Sequence, residues 1–250
     1  RHKINPINYI LKSSRIYSSF FIFTDMNKSL INPTWYSLCE THKKYSIDYE
    51  DVKFYNPEIC PFGAFTNASK TKEALNKYAK LSDSFFLVSE DKTPIFDERN
   101  VKLIKKMEGV QMVLENSIDF DFTEEIIPLT ENYKDEIYDL IWLVMPGYYR
   151  KRSFEMGKYF GIFKNNKLVA ITGQRMQTDS WIEVSGVVTH PDFTRKGFAK
   201  QLTQFVTKEI IKVGKHPILH TTKGNPAIKL YEKLGYKLTR DMNWWYFNSK

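Results

Sequence analysis

Two stretches decide how this chain folds: Val187-Val188-Thr189-His190-Pro191-Asp192-Phe193-Thr194-Arg195-Lys196-Gly197-Phe198-Ala199, and Asn225-Pro226-Ala227-Ile228-Lys229-Leu230-Tyr231-Glu232-Lys233-Leu234-Gly235-Tyr236. The first reads as a strand ending in a turn, then a loop that opens a helix at Gly197. Glycine there lets the backbone approach a ligand closely, and the helix start offers unpaired N–H groups to an anion. The second reads as an Asn-Pro helix start, one short amphipathic helix and a glycine stop.

Working outward, residues 197–213 repeat apolar positions at Phe198, Leu202, Phe205, Val206, Ile210 and Val213, the pattern of an amphipathic helix stopped by Gly214. Strands are predicted over 126–129, 159–163, 168–175, 181–189 and 217–221, with a tight turn at Asn165-Asn166. Helices are predicted after Thr130 and over 226–234. Residues 236–238 and 243–247 read as a closing pair of strands. The first half is less regular. A helix is expected from Asn32 toward His42 and another from Thr71, with strands at 85–88 and 110–114 and a loop over 57–65. The acidic run from Glu115 to Glu125 is the expected boundary between halves. No repeat is visible. The organisation read from this is an N-terminal extension (1–25), an α+β domain (26–118) and a catalytic domain (119–250).

With 42% hydrophobic residues, the chain can bury a full core. Cys39 and Cys60 form no disulfide framework and no metal-ligand spacing, which points to a reducing, cytoplasmic setting and no metal site. No apolar run reaches membrane-spanning length, and the basic, serine-containing start reads as a bland extension rather than a transit signal. Residues 1–125 hold 17 basic and 18 acidic side chains, whereas 126–250 hold 20 and 11, so the net charge of +8 comes from the half with the motifs. Without an Arg/Lys-rich helix, an RNA signature or a zinc-finger pattern, that field fits a polyphosphate cofactor better than nucleic acid.

The two motifs and the order strand, helix, three-strand meander, helix, strand, helix, strands resemble the GNAT superfamily of acetyl-CoA-dependent N-acetyltransferases, over roughly residues 123–250. The resemblance implies an α/β GNAT acyltransferase fold, a mixed, mostly antiparallel sheet flanked by helices, preceded by a smaller α+β domain. It implies acetyl-CoA as co-substrate and a small-molecule or peptide amine as acceptor, with a second copy of the chain as a further partner left open. The family's phosphate loop, Arg/Gln-x-x-Gly-x-Gly/Ala, corresponds to Thr194-Arg195-Lys196-Gly197-Phe198-Ala199. Thr194 departs at the first position, so weaker or rearranged binding is expected there. Arg195, Lys196, Gly197, Phe198 and Ala199 would hold the pyrophosphate. Val187, Val188 and Thr189 would pair with pantetheine on a strand that splays from 217–221, and Asn225 would cap its helix and bond the pantetheine amide.

Amine acylation needs a neutral nucleophile, and an alkylamine of pKa about 10 must first lose a proton. Glu183, eleven residues before Thr194, sits at the spacing of the family's glutamate base and would act directly or through water. Tyr231 sits at the family's general acid and would protonate the leaving thiolate. Gly186 suits either a bulge or tight packing. His190 and His220 are minor candidates, and residues 148–152 offer either acceptor contacts or a solvated basic loop. A longer acyl or aminoacyl donor, or a catalytically weak CoA-binding module, are the alternative readings.

Overall fold

The computed structural model describes residues 28–250. The expectations for the extension 1–25 and for a domain start at Met26 lie outside them. Eleven strands form one sheet: β1 (Ser46–Tyr49), β2 (Val52–Tyr55), β3 (Phe62–Phe65), β4 (Ser84–Ser89), β5 (Val101–Leu114), β6 (Ile127–Leu129), β7 (Tyr159–Lys164), β8 (Lys167–Gln177), β9 (Trp181–Thr189), β10 (His216–Thr222) and β11 (Tyr236–Ser249). Their order is β1-β2-β3-β4-β11-β5-β10-β9-β8-β7-β6. Among the described residues, only β3/β4 and β9/β10 pair in parallel. Each parallel pair is joined through a helix, as a parallel crossover requires: α2 (Thr71–Tyr78) after β3, and α4 (Phe198–Lys212) after β9. Further helices are α1 (Pro33–Cys39), α3 (Lys134–Val144) and α5 (Ile228–Lys233).

The local chemistry explains several of these elements. Asn32 caps α1, its side chain accepting from the Trp35 N–H, and Pro33 stands at the first helical position. Asn165 and Asn166 both take positive φ (51° and 58°), which makes the two-residue turn between β7 and β8. The buried face of α4 carries Phe198, Leu202, Val206 and Ile210, which pack on Phe160, Val169, Ile182, Val184 and Leu219 of the sheet. On the opposite face, α3 buries Ile137, Leu140 and Ile141 against Tyr159, Ile171 and Val188.

Several expectations differ from the structure. Residues 236–249 form one strand, not two, because the register shift between Leu238 and Arg240 absorbs the polar run Thr239-Arg240-Asp241 without a turn. The polar segment before Val110 is the first half of β5, which keeps pairing with β11 while its lysines face solvent. The stretch read as a loop over 57–65 ends in β3, whose four residues are all buried. The β1–β2 hairpin was not foreseen.

The expected boundary at 118/119 does not divide the sheet. β5, from before it, lies hydrogen-bonded between β10 and β11, from after it, and β11 in turn pairs with β4. Each half thus lends its last strand to the other. A buried polar seam adds to the join: His42 Nε2–H donates to the Met156 carbonyl (3.1 Å), its Nδ1 meets Tyr55 Oη (3.0 Å), and the Gln177 N–H donates to Ser37 Oγ (3.1 Å). Burial pushes the His42 imidazole down to about 4, so it serves this seam uncharged.

Candidate active site

The parallel pairing of β9 with β10 covers only Trp181/His216, Ile182/Pro217 and Glu183/Ile218. Both strands continue beyond it, β9 to Thr189 and β10 to Thr222. From Val184 onward they splay, leaving the β10-facing edge of β9 without a strand partner. This is the opening expected beside Val187, Val188 and Thr189.

Gly186 lies at its mouth. Between the paired positions Ile171/Val188 and Gly173/Ser185, β9 spends one residue more than β8, and Gly186 has φ +63°. A Cβ there would meet nothing closer than 3.7 Å, so the backbone conformation, not packing, asks for glycine. Of the two readings of Gly186, the bulge is the one found.

The phosphate-loop residues follow a 3₁₀ turn at Pro191–Phe193. Arg195 (φ +60°) and Gly197 (φ +81°) take left-handed conformations, and Gly197 is the N-cap of α4 with no side-chain cap. The Gln201 N–H bonds back to the Gly197 carbonyl, while among the described residues the N–H groups of Phe198, Ala199 and Lys200 have no partner. Arg195, Lys196 and Lys200 stand exposed around them. Thr194 Oγ1 is spent locally, donating to the Pro191 carbonyl at 3.2 Å. His190 belongs to the same turn, its Nδ1 accepting from the Asp192 N–H. Asn225 ties two elements together: Oδ1 accepts from the Ala227 N–H and Nδ2 donates to Thr221 Oγ1, at the far end of the splayed strand. Helix α5 starts later than expected, at Ile228, after a turn that this side chain organises.

Tyr231, on α5, is 7% exposed and packs in one cluster with Val184, Val187 and Phe198. Burial pushes its phenol up to about 12, and its hydroxyl makes no hydrogen bond among the described residues. Glu183 occupies the last paired position of β9 but is fully buried. Arg175 Nε donates to Oε2 (2.8 Å) and Nη2 to Oε1 (2.7 Å), the Met176 N–H donates to Oε2 (3.3 Å), and His220 Nδ1 lies 2.8 Å from Oε1. Burial alone would raise this carboxyl, but the Arg175 charge and the hydrogen bonds outweigh it and hold the group well below the usual carboxylate range. Out of solvent, saturated with donors and weakly basic, this carboxylate is unsuited to take a proton from an amine directly. The geometry ties Glu183 to Arg175, the Met176 N–H and His220. His220, a minor candidate on its own, is the third member of that group. Its Nε2 faces Gln111 Nε2 at 3.1 Å, and the same amide donates to the Leu30 carbonyl, so the network reaches into the N-terminal half.

Beside the bulge lies a cavity of about 40 Å³, walled by Ser185 and Gly186 of β9, Tyr159, Arg175, Tyr149 and Cys60 among others. Tyr149 Oη is buried next to the Tyr159 hydroxyl, and burial lifts the Cys60 thiol to about 11, keeping it protonated. Of residues 148–152, Tyr148 and Tyr149 line the cavity, while Arg152 is exposed and pairs with Glu58 and Glu155. Sequence reasoning missed Arg175 and Cys60. The signal for Arg175 was present, as the one charge in the run Leu168-Val169-Ala170-Ile171-Thr172-Gly173-Gln174-Arg175-Met176-Gln177. Cys60 comes from a loop far away in sequence and gave none. No helix among the described residues is long and apolar enough to cross a membrane.

Comparison with known proteins agrees with this architecture. The family described as FR47-like protein matches residues 159–245, which span the meander, both motifs and most of β11. A putative acetyltransferase of the GNAT family from Novosphingobium aromaticivorans superposes with a TM-score of 0.77 at 26% identity, covering 88% of this chain and 98% of its own. A GCN5-related N-acetyltransferase-like protein from Streptococcus suis shares the fold at 14% identity, with a TM-score of 0.61 over 90% of this chain and 98% of that one. Among curated proteins no significant sequence match was found. Over its C-terminal half the chain thus matches the FR47-like family and shares the fold of GNAT acetyltransferases, a likeness that supports acyl transfer in general.

Proposed function

We propose that the protein transfers an acetyl group from acetyl-CoA to a primary amine by direct attack. One observation carries this reading: β9 and β10 part after Glu183/Ile218 directly beside an uncapped, glycine-started helix in a basic surrounding. A strand edge and a set of free N–H donors are together what a pantetheine arm ending in a pyrophosphate requires.

In this reading the N–H groups of Phe198, Ala199 and Lys200 hold the pyrophosphate, aided by Arg195 and Lys196. The open edge of Val187 to Thr189 pairs with pantetheine, and the remaining Nδ2–H of Asn225 donates to it. An N–H of the bulged segment polarises the thioester carbonyl. The amine nitrogen attacks that carbon, and its proton passes to water in the cleft. The tetrahedral intermediate then collapses with cleavage of the C–S bond. Tyr231, protonated at neutral pH, gives its proton to the departing thiolate. Glu183 acts on this reaction by positioning Arg175 rather than by accepting the proton.

The sequestered Glu183 and the Thr194 departure favour one second reading, a CoA-binding module with weak turnover. Two measurements separate these. Acetyl-CoA at a hundredfold excess over its Kd is expected to stabilise the protein by about 2.7 kcal/mol, and Gly197→Val, which strains the left-handed N-cap and crowds the anion, is expected to remove that gain. Release of free thiol with an amine panel then distinguishes enzyme from binder. A native protein that acetyl-CoA does not stabilise at any concentration would overturn both readings.

A further inference from the structure

The cavity beside the bulge reveals more about the acceptor than the motifs do. Among the described residues that line it, Arg175 carries the only charge, and no carboxylate faces it. An alkylammonium group seated there would meet a cation with no counter-charge, since the matching carboxylate, Glu183, is buried on the other side of the guanidinium. A group of opposite sign would meet an arginine already in position.

Arginine offers two forked edges. Glu183 occupies the Nε/Nη2 edge with both oxygens. The Nη1/Nη2 edge makes no hydrogen bond among the described residues, and the side chain is 19% exposed. The guanidinium also lies over the Phe62 ring, 4.8 Å from its centre. Glu183 in turn is held by the Met176 N–H and by His220, itself backed by Gln111. Such an arginine has little rotamer freedom left to lose, and its free fork matches a second carboxylate in the bidentate manner. The protonated Cys60 thiol adds no competing charge.

Resting on the acyl-transfer reading above, the geometry points to a small amino carboxylate as the acceptor: a free amino acid whose carboxylate sits on the Nη1/Nη2 edge of Arg175 while its amine is directed to Ser185–Gly186. The small cavity suits a compact molecule of the glycine or alanine type. Arg175 is then the residue that determines acceptor specificity.

The experiment uses the full chain saturated with CoA and compares glycine, alanine and β-alanine with glycinamide, glycine methyl ester and ethylamine, by calorimetric binding and by thiol release from acetyl-CoA. Carboxylated acceptors are expected to bind at least tenfold more tightly than their amide or ester. Arg175→Lys, which keeps the charge but loses the fork, is expected to raise KM for glycine tenfold or more and leave CoA stabilisation intact. Because that substitution disturbs Glu183, the double variant Arg175→Gln/Glu183→Gln, which removes both charges together, serves as the second test. It is expected to fold, to bind CoA, and to treat glycine and glycinamide alike. Equal binding of acids and amides by the wild type, or a preference for ethylamine or glycinamide, overturns the inference and leaves the CoA reading standing. Failure of CoA to bind overturns that reading first, and the inference with it.

Discussion

Glu183 shows how much a residue's surroundings decide about its chemistry. Removing its charge leaves a buried guanidinium without its partner, a change that typically costs about 3–5 kcal/mol when one member of a buried pair is lost. Glu183→Gln is therefore expected to unfold at markedly lower denaturant concentration, and its lost turnover is not expected to return at alkaline pH. The pH dependence follows from the lowered carboxyl. A group held below its unfolded value contributes its full stability above the unfolded pKa, about 4.3, and loses it as pH falls toward the folded one. The stability gap between wild type and variant should accordingly narrow below about pH 4. Wild-type stability in the variant, combined with alkaline rescue of its rate, would falsify the anchoring role and restore Glu183 as the base. The position of this glutamate was legible from its distance to Thr194. Its role was not, because Arg175 and His220 come from strands that only the sheet brings alongside.

At the scale of elements, what could be read depended on whether a side-chain pattern faces two different environments. β9 and α4 were predicted to within a residue, because one face of each meets the core and the patterns are regular. The first half of β5 escaped notice because Lys102, Lys105, Lys106 and Glu108 are exposed and its alternation is faint. β11 looked like two strands because a bulge in mid-sequence resembles a turn. The bulge at Gly186 is the element-level feature with the largest expected effect on rate. Gly186→Val forces a β-branched residue into φ +63°, a strain of about 1–3 kcal/mol, and relieving it would restore regular pairing with β8. Turnover is expected to fall by about 10²–10³-fold, the loss typical of one misplaced oxyanion donor, with a much smaller change in CoA affinity. Measuring kcat and the CoA-induced rise in Tm on the same protein checks this, and an unaltered kcat would show that the bulge takes no part in polarising the thioester.

For the whole molecule, the reciprocal exchange of strands changes what truncation should do. The motifs all lie beyond residue 118, which by itself suggests that the second half can stand alone. A chain beginning at Asp121 would lack β5, however, leaving both β10 and β11 without their shared neighbour and exposing Met112-side core residues such as Leu219 and Tyr236. Unpaired, apolar strand edges favour aggregation. We expect this shortened chain to be insoluble or unfolded, and to regain acetyl-CoA binding only when residues 28–118 are supplied, as shown by co-expression and thermal shift. A soluble, CoA-binding chain from Asp121 would mean that β5 is dispensable.

The sequence by itself determined the local geometry that chemistry can write into neighbouring residues: the glycine-started helix, the Asn-Asn turn, the strand that ends before the loop, the helix capped by Asn32. These depend on backbone conformation and on contacts a few residues apart, so a linear motif is enough to specify them. Only the tertiary structure decided the rest. Whether β9 and β10 part, what surrounds the Glu183 carboxylate, and what faces the bulge all depend on residues such as Cys60, Gln111, Arg175 and His220, which meet because two interlocked halves bury them together. Burial and charge compensation are properties of that assembly, and no spacing along the chain records them.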